Sequence, residues 1–243
     1  ATTGLPVINN FRTHDIALNG EGTPIAPIAD KLLFSDFDFM MNIGGIANIT
    51  CNVNGKYVAF DIGYANQILN ALANELNLPY DVNGQLAAQG TVNMELLEAV
   101  NAFPYFTMPY PKSLDNQWIQ QNILPIYMAF EDSIPNKLRT ACEHLAQATA
   151  NSIAQILKKE NHSIAQPKML VTGGGAFNLF LMERITALCE PFNLQVEVPT
   201  KNIVEFKEAL LMALMGVLRV ENKVNCLSSV TGAKMDTIGG AIW

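Results

Sequence analysis

Basic residues are scarce: 15 Lys and Arg stand against 22 Asp and Glu in 243 residues, a formal net charge of −7. With a pI near 4.9, the chain has no reserve of cation for a phosphate backbone, which argues against nucleic acid as a partner. An anionic ligand would have to be held by backbone N–H groups, a metal ion or a few well-placed cations. Cysteine is also sparse. Cys51, Cys142, Cys189 and Cys226 form no CxxC pair, and with only His14, His144 and His162 beside them they describe no zinc site. Such thiols suit a reducing cytoplasm. No apolar run is long enough for a bilayer: the longest uncharged stretch, Ala209 to Leu218, falls within a helical pattern. The opening ATTGLPVINNF carries no Met, no basic region and no apolar core of the signal-peptide kind, and reads as a chain cut from something longer.

What is present is apolar. Hydrophobic residues make up 49% and charged residues 15%, enough to bury a sizeable core. After a Pro- and Gly-rich arm, three strand-length stretches follow: Phe37 to Ile43, Ile46 to Val53 and Tyr57 to Asp61. Gly44-Gly45 and Asn54-Gly55 divide them. Asn-Gly supplies the positive φ values of a tight hairpin, so the second and third strands should be antiparallel neighbours. Asn66 to Leu76 then carries a helical stripe. From 79 to 135 prolines break short helical pieces such as Met94 to Asn101, as in a helical insertion. Beyond it the pattern predicts a long helix from Asn136 to Lys159, a strand Lys168 to Thr172, a helix Asn178 to Cys189, a strand Leu194 to Val198 and a helix Glu205 to Val220. The order is β-β-β-α, insertion, α-β-α-β-α, which implies an α/β fold with a mixed five-stranded sheet flanked by helices. The domain organisation expected is an arm over 1–36 and one domain over 37–243, with the insertion at 79–135. Met212 and Met215 in the last helix are expected in the core.

Three turns hold the candidate chemistry. In MLVTGGGAFNLFLMERI, Gly173, Gly174 and Gly175 lie between an apolar strand and a helix that begins near Asn178. Glycines there let backbone approach a ligand, and the helix start adds unpaired N–H groups, an arrangement that suits a nucleotide or simply a turn needing positive φ. No Walker or dinucleotide spacing is present. In NIGGIANIT, Gly44, Gly45 and Asn48 could cradle a phosphate or a sugar hydroxyl, or build a structural hairpin. In AFDIGYAN, Asp61 ends a strand, either to cap the next helix or to face a cleft. Arg12 could clamp an anion or pair with Asp15, and Lys112-Ser113 could offer a charge and a hydroxyl to an anion. Glu208 heads an apolar helix, where the helix dipole favours an acid.

In this order, FRTHDIALNGEGTPIAP, NIGGIANIT, AFDIGYAN, PKS, VTGGGAFNLFLMERI, KEALLMALMGVL and SSVTGA resemble the anhydro-N-acetylmuramic acid kinase family, from Gly4 to Ile242. The resemblance implies a ribonuclease H-like, actin-type ATPase domain with the β-β-β-α-β-α-β-α unit. It implies a cytoplasmic enzyme of cell-wall recycling that opens the 1,6-anhydro bond of anhydro-N-acetylmuramic acid with water and transfers the γ-phosphoryl of ATP to O6. Asp61 would be the catalytic base. Gly44, Gly45, Asn48, Gly173, Gly174, Gly175 and Asn178 would line the nucleotide, with Mg²⁺ carried by ATP. Arg12, Asp15, Lys112 and Glu208 would meet the amino sugar. The chain departs from the family at Asn10, at Tyr64-Ala65 and over Leu114-Asp115-Asn116-Gln117, where the family has Thr-Gly-Arg-Glu. It shows no counterpart of the family's N-terminal phosphate loop, so as given it is expected to turn over little. Surface apolar at the absent domain's interface favours self-association into a homodimer. The departures also admit a non-catalytic actin-like module binding nucleotide or a partner, or a kinase of another amino sugar.

Overall fold

The computed structural model describes residues 4–22 and 24–243. Ala1–Thr3 and Thr23, which belong to the arm expected over 1–36, lie outside the described residues. Five strands form the main sheet: β1 (Phe39–Ile43), β2 (Ile46–Val53), β3 (Lys56–Tyr64), β4 (Lys168–Thr172) and β5 (Gln195–Glu197). Their spatial order is β3-β2-β1-β4-β5. β1 runs parallel to β4, with Phe39 opposite Met169 and Asn42 opposite Thr172, and β4 runs parallel to β5. The two-residue links Gly44-Gly45 and Asn54-Gly55 are far too short for a parallel crossover, so β1, β2 and β3 form an antiparallel meander. Asn54 and Gly55 take φ of 52° and 90°, the two left-handed positions of a type I′ turn, and Asn52 Oδ1 accepts from the Gly55 N–H at 2.8 Å. The sheet is therefore mixed, in the β-β-β-α-β-α-β-α order read from the sequence.

The longer helices are α1 (Asn66–Asn74), α2 (Ile134–Lys159), α3 (Leu179–Cys189) and α4 (Lys201–Val220). α2 begins with Ser133 accepting from the Asn136 N–H and with Pro135 in its first turn, where the missing N–H is harmless, so it starts before the expected Asn136. α4 starts a turn earlier than the expected Glu205, because Thr200 O accepts from the Ile203 and Val204 N–H groups. β3 continues three residues past the expected end at Asp61. Between α1 and α2 lie five short helices, the last four being Met94–Asn101, Pro104–Thr107, Asn116–Asn122 and Leu124–Ala129.

The residues divide into two compact units that interleave along the chain, one of Ala1–Asp38, Thr50–Ala59 and Glu205–Trp243, the other of Phe39–Ile49 and Phe60–Val204. The composition alone suggests a single boundary near residue 36. In the second unit, Phe39, Met41 and Ile43 of β1, Ile62 of β3, and Ile68 and Leu72 of α1 are fully buried. Removing such side chains from water supplies the main stabilisation, about 1.5–3 kcal/mol for each aliphatic or aromatic side chain. α2 packs on α3, and Arg184 of α3 grips Glu143 of α2 through two nitrogens, at 2.9 and 3.3 Å. In the first unit, Leu211, Met215 and Leu218 give α4 its buried face. Met212 is 41% exposed, a correction to its expected place in the core: it sits 100° around the helix from Leu211 and faces out.

All four cysteines are buried and none is in a disulfide, and burial pushes the Cys189 thiol up to about 12. Among the described residues no helix is long and apolar enough to cross a membrane, and no group of three His, Cys, Asp or Glu side chains could hold a metal ion.

Candidate functional site

Parallel pairing of β1 with β4 sets the outgoing ends of the two strands side by side, so the turns that follow them adjoin. Gly173 leaves β4 at φ 82°, and a Cβ there would come within 2.6 Å of the Ile43 carbonyl oxygen. A Cβ on Gly175 would strike Ile43 Cγ2 at 2.1 Å. These two glycines are required by the close approach of one turn to the other. Gly44, Gly45 and Gly174 differ. A Cβ on each would meet its nearest neighbour at 3.5, 3.9 and 3.7 Å, ordinary van der Waals contact, and with Gly45 and Gly174 exposed a ligand can reach the backbone there.

Asn66, opening α1, ties both turns together. Its N–H donates to Gly44 O at 3.0 Å and its Nδ2 to Ile43 O at 3.2 Å, while its Oδ1 lies against Gly175. The Gly45 carbonyl accepts from the Ala65 and Gln67 N–H groups. Asn48 is half-buried in β2. Asn178 caps α3, its Oδ1 accepting from the Leu181 N–H at 2.9 Å, so that side-chain oxygen serves the helix.

Asp61 belongs to the same unit. It is half-buried in β3 and does not cap α1, whose N-cap is Ala65. Its Oδ2 accepts from the Leu114 N–H at 2.8 Å and the Ser113 hydroxyl at 3.1 Å. Its main chain is fixed as well, the carbonyl accepting from the Tyr105 hydroxyl at 2.7 Å and the N–H donating to Lys112 O. Oδ1 has no hydrogen bond among the described residues. Burial raises the Asp61 pKa above the usual carboxylate value, and the bonds from Leu114 and Ser113 partly offset that rise. The result is a carboxylate with one oxygen anchored, the other free, and its basicity increased. The anchoring segment also reaches the first glycine turn, since Gln67 Nε2 donates to Asn116 O at 3.0 Å and Asn116 Oδ1 lies 4.0 Å from a Cβ built on Gly45.

The anion that Ser113 serves is thus Asp61 itself. Lys112 departs from the ligand-facing role expected of it: it is 8% exposed, its Nζ donates to Tyr105 O at 3.1 Å and lies over the Tyr105 ring at 4.7 Å. Burial lowers its pKa. Its charge is engaged inside the insertion, holding the Tyr105 that holds Asp61. Tyr64 also points inward. It stacks on the His144 ring at 4.9 Å between centroids and shares a 2.7 Å hydrogen bond with the Tyr127 hydroxyl, so this departure from the family pattern lies in the core. Burial lowers the His144 pKa to about 3, leaving the ring neutral.

Arg12, Asp15 and Glu208 belong to the other unit. Asp15 is fully buried, its Oδ2 accepting from the Gly22 N–H at 2.9 Å and its Oδ1 from the Thr231 hydroxyl at 2.8 Å. This corrects its expected role toward a sugar, because both oxygens fasten the arm. Arg12 is exposed, and among the described residues no ion pair joins it to Asp15. Glu208 is exposed on α4, in the second turn rather than at the helix start, so the helix dipole does not account for it. Its neighbour Lys207 pairs with the buried Asp30 at 2.9 Å.

Sequence reasoning missed Tyr105, the Leu114 N–H and Asn66. Only Ser113 left a signal, as a hydroxyl beside a lysine. The strand order defines an α/β domain with a mixed five-stranded sheet, in which the glycine turns and Asp61 belong to one compact unit. Within that class the chain belongs to the anhydro-N-acetylmuramic acid kinase family, whose model matches residues 1–243. It is 35% identical over 251 residues to an anhydro-N-acetylmuramic acid kinase of Coxiella burnetii, covering 100% of this chain and 66% of that protein. An anhydro-N-acetylmuramic acid kinase of Hydrogenovibrio crunogenus is 34% identical over 99% of this chain and 65% of its own length. The chain thus spans just under two thirds of these relatives. Among solved structures, the activator of the 2-hydroxyisocaproyl-CoA dehydratase from Clostridium difficile with bound ADPNP aligns at a TM-score of 0.43 and 15% identity, over 76% of this chain and 61% of that one.

Proposed function

We propose that this chain supplies the catalytic base and part of the nucleotide site of a cytoplasmic anhydro-N-acetylmuramic acid kinase. The observation that carries the reading is the Asp61 carboxylate, anchored through Oδ2 with Oδ1 free and its pKa raised by burial. Such a group is a stronger proton acceptor than an ordinary carboxylate. In the reaction, Asp61 Oδ1 accepts a proton from water as the water oxygen bonds to C1 of the anhydro sugar. The C1–O6 bond breaks, and O6 takes the γ-phosphoryl group of ATP as ADP leaves. The products are the 6-phosphate sugar, ADP and the proton taken by Asp61.

The exposed backbone at Gly45 and Gly174, with Gly44 half-buried beside them, supports the close approach of a nucleotide, with Asn48 at the border of the first turn. Mg²⁺, carried on ATP, would neutralise phosphate charge. The test is turnover by the full-length protein with ATP, Mg²⁺ and anhydro-N-acetylmuramic acid, followed by mass detection of the 6-phosphate. We expect Asp61→Asn to lower kcat by about 10²–10⁴-fold. Undiminished turnover in that variant would remove Asp61 from the mechanism. Nucleotide binding with no sugar-dependent phosphate release would support a non-catalytic module.

A further inference from the structure

The segment over 108–115 that holds Asp61 contains no strand or helix, yet it must keep the Leu114 N–H and the Ser113 hydroxyl to within about half an ångström of their places on one carboxylate oxygen. Its fixed point is Tyr110. The Tyr110 ring lies flat on Phe60, the residue before Asp61 on β3, with 4.8 Å between centroids and 5° between planes. The Lys159 ammonium stands 3.8 Å from the Tyr110 ring centroid and donates to the Tyr110 carbonyl at 2.8 Å. The Tyr110 hydroxyl donates to Glu160 Oε1 at 2.9 Å. Phe60 and Tyr110 are buried, whereas Lys159 is exposed.

Lys159 is the last residue of α2 and Glu160 its C-cap. α2 also packs on α1 and α3, the helices that follow the two glycine turns, so the helix that ends on Tyr110 shares a frame with those turns. Two residues beyond Tyr110 the Lys112 carbonyl accepts from the Asp61 N–H, and Ser113 and Leu114 follow at once. A lysine in the last turn suits the helix dipole, which accounts for its charge but not for its bond to the Tyr110 carbonyl. A tyrosine that merely filled the core would need only the stack on Phe60. Here a charged group of α2 holds each polar end, and that fixes the loop along its length as well as against β3. We propose that Tyr110, clamped by Lys159 and Glu160, is a positioning residue for the base: the clamp sets where Asp61 Oδ1 stands relative to the glycine turns. The inference rests on the reading of Asp61 as the base.

The test uses the full-length protein with ATP, Mg²⁺ and anhydro-N-acetylmuramic acid, with circular dichroism to check that each variant is folded. Lys159→Met should lower kcat about ten-fold and leave KM for both substrates nearly unchanged, since it shifts the base without touching what binds. Lys159→Arg, which keeps the cation and a donor, should restore most of that loss. Tyr110→Phe, which keeps the stack but gives up the Glu160 bond, should lower kcat as well. The deciding measurement repeats Lys159→Met in an Asp61→Asn background, where the cost should vanish, because groups that act as a unit are not additive. An equal cost in both backgrounds overturns the positioning role and leaves the base in place. So does kcat unchanged by Lys159→Met in a protein that Asp61→Asn disables. Undiminished turnover in Asp61→Asn overturns the base, and the positioning role with it.

Discussion

A carboxylate held by one oxygen makes Asp61 a titrating group with opposite consequences for activity and stability. Its folded pKa lies above the ordinary 3.8, so ionisation at that site is disfavoured relative to the unfolded chain. Its stabilising contribution is fully present below the unfolded value and is lost as pH rises through the folded one. Asp61→Asn should therefore melt at a higher temperature than the parent at pH 7, with the difference vanishing below pH 3.8. Calorimetric scans across that range check this. In the full-length enzyme the acid limb of kcat/KM should lie above the usual carboxylate range. Ser113→Ala removes a bond that lowers the Asp61 pKa, so that limb should move further toward neutral. At this scale the sequence named Asp61 as cleft-facing or capping, and a backbone N–H decides between them. Nothing in the letters Leu114 shows that its amide will be the donor. Asp15, given to the sugar only by the resemblance and read from the residues as a partner for Arg12, bonds instead to the Gly22 N–H and the Thr231 hydroxyl, and nothing in its neighbouring letters points to a residue more than two hundred positions away.

Elements meet at this site through their ends, and the two kinds of glycine should respond differently to a methyl group. Gly173→Ala places a Cβ 2.6 Å from the Ile43 carbonyl at a φ of 82°, so we expect a loss of about 2 kcal/mol or more in urea unfolding. Gly174→Ala, with 3.7 Å of clearance, should change stability by less than about 1 kcal/mol and act mainly on nucleotide affinity. Asp15→Ala should cost about 2 kcal/mol, since it leaves the Gly22 N–H and Thr231 hydroxyl without their charged acceptor. Strands and helices were legible because Asn54-Gly55, the stripe of α2 and the glycines after β4 each carry a local physical reason. The segment over 104–118 was not. It is made of short helices broken by prolines, where no periodicity tells which aromatic side chain turns inward.

For the whole molecule, the exposed face of α4 stands out. Phe206 is 60% exposed, Val217 54% and Val220 68%, an apolar stripe of the kind that monomeric soluble proteins rarely leave uncovered. We expect this 243-residue chain to show concentration-dependent association by light scattering, abolished by joint Phe206→Asp and Val217→Asp substitution with the circular dichroism spectrum unchanged. A constant monomer mass at all concentrations would contradict it. Composition foretold much buried surface but could not tell which helix face stays outside, because Met212 and Met215 differ only by their angle around one axis. One further consequence follows from Asn66, which touches both glycine turns and begins the helix that follows the strand of Asp61. A single amide side chain works there as a rivet between two plates. Asn66→Ala removes that rivet, so it should loosen the two turns from each other and lower the urea midpoint, with the helix content of the circular dichroism spectrum unchanged.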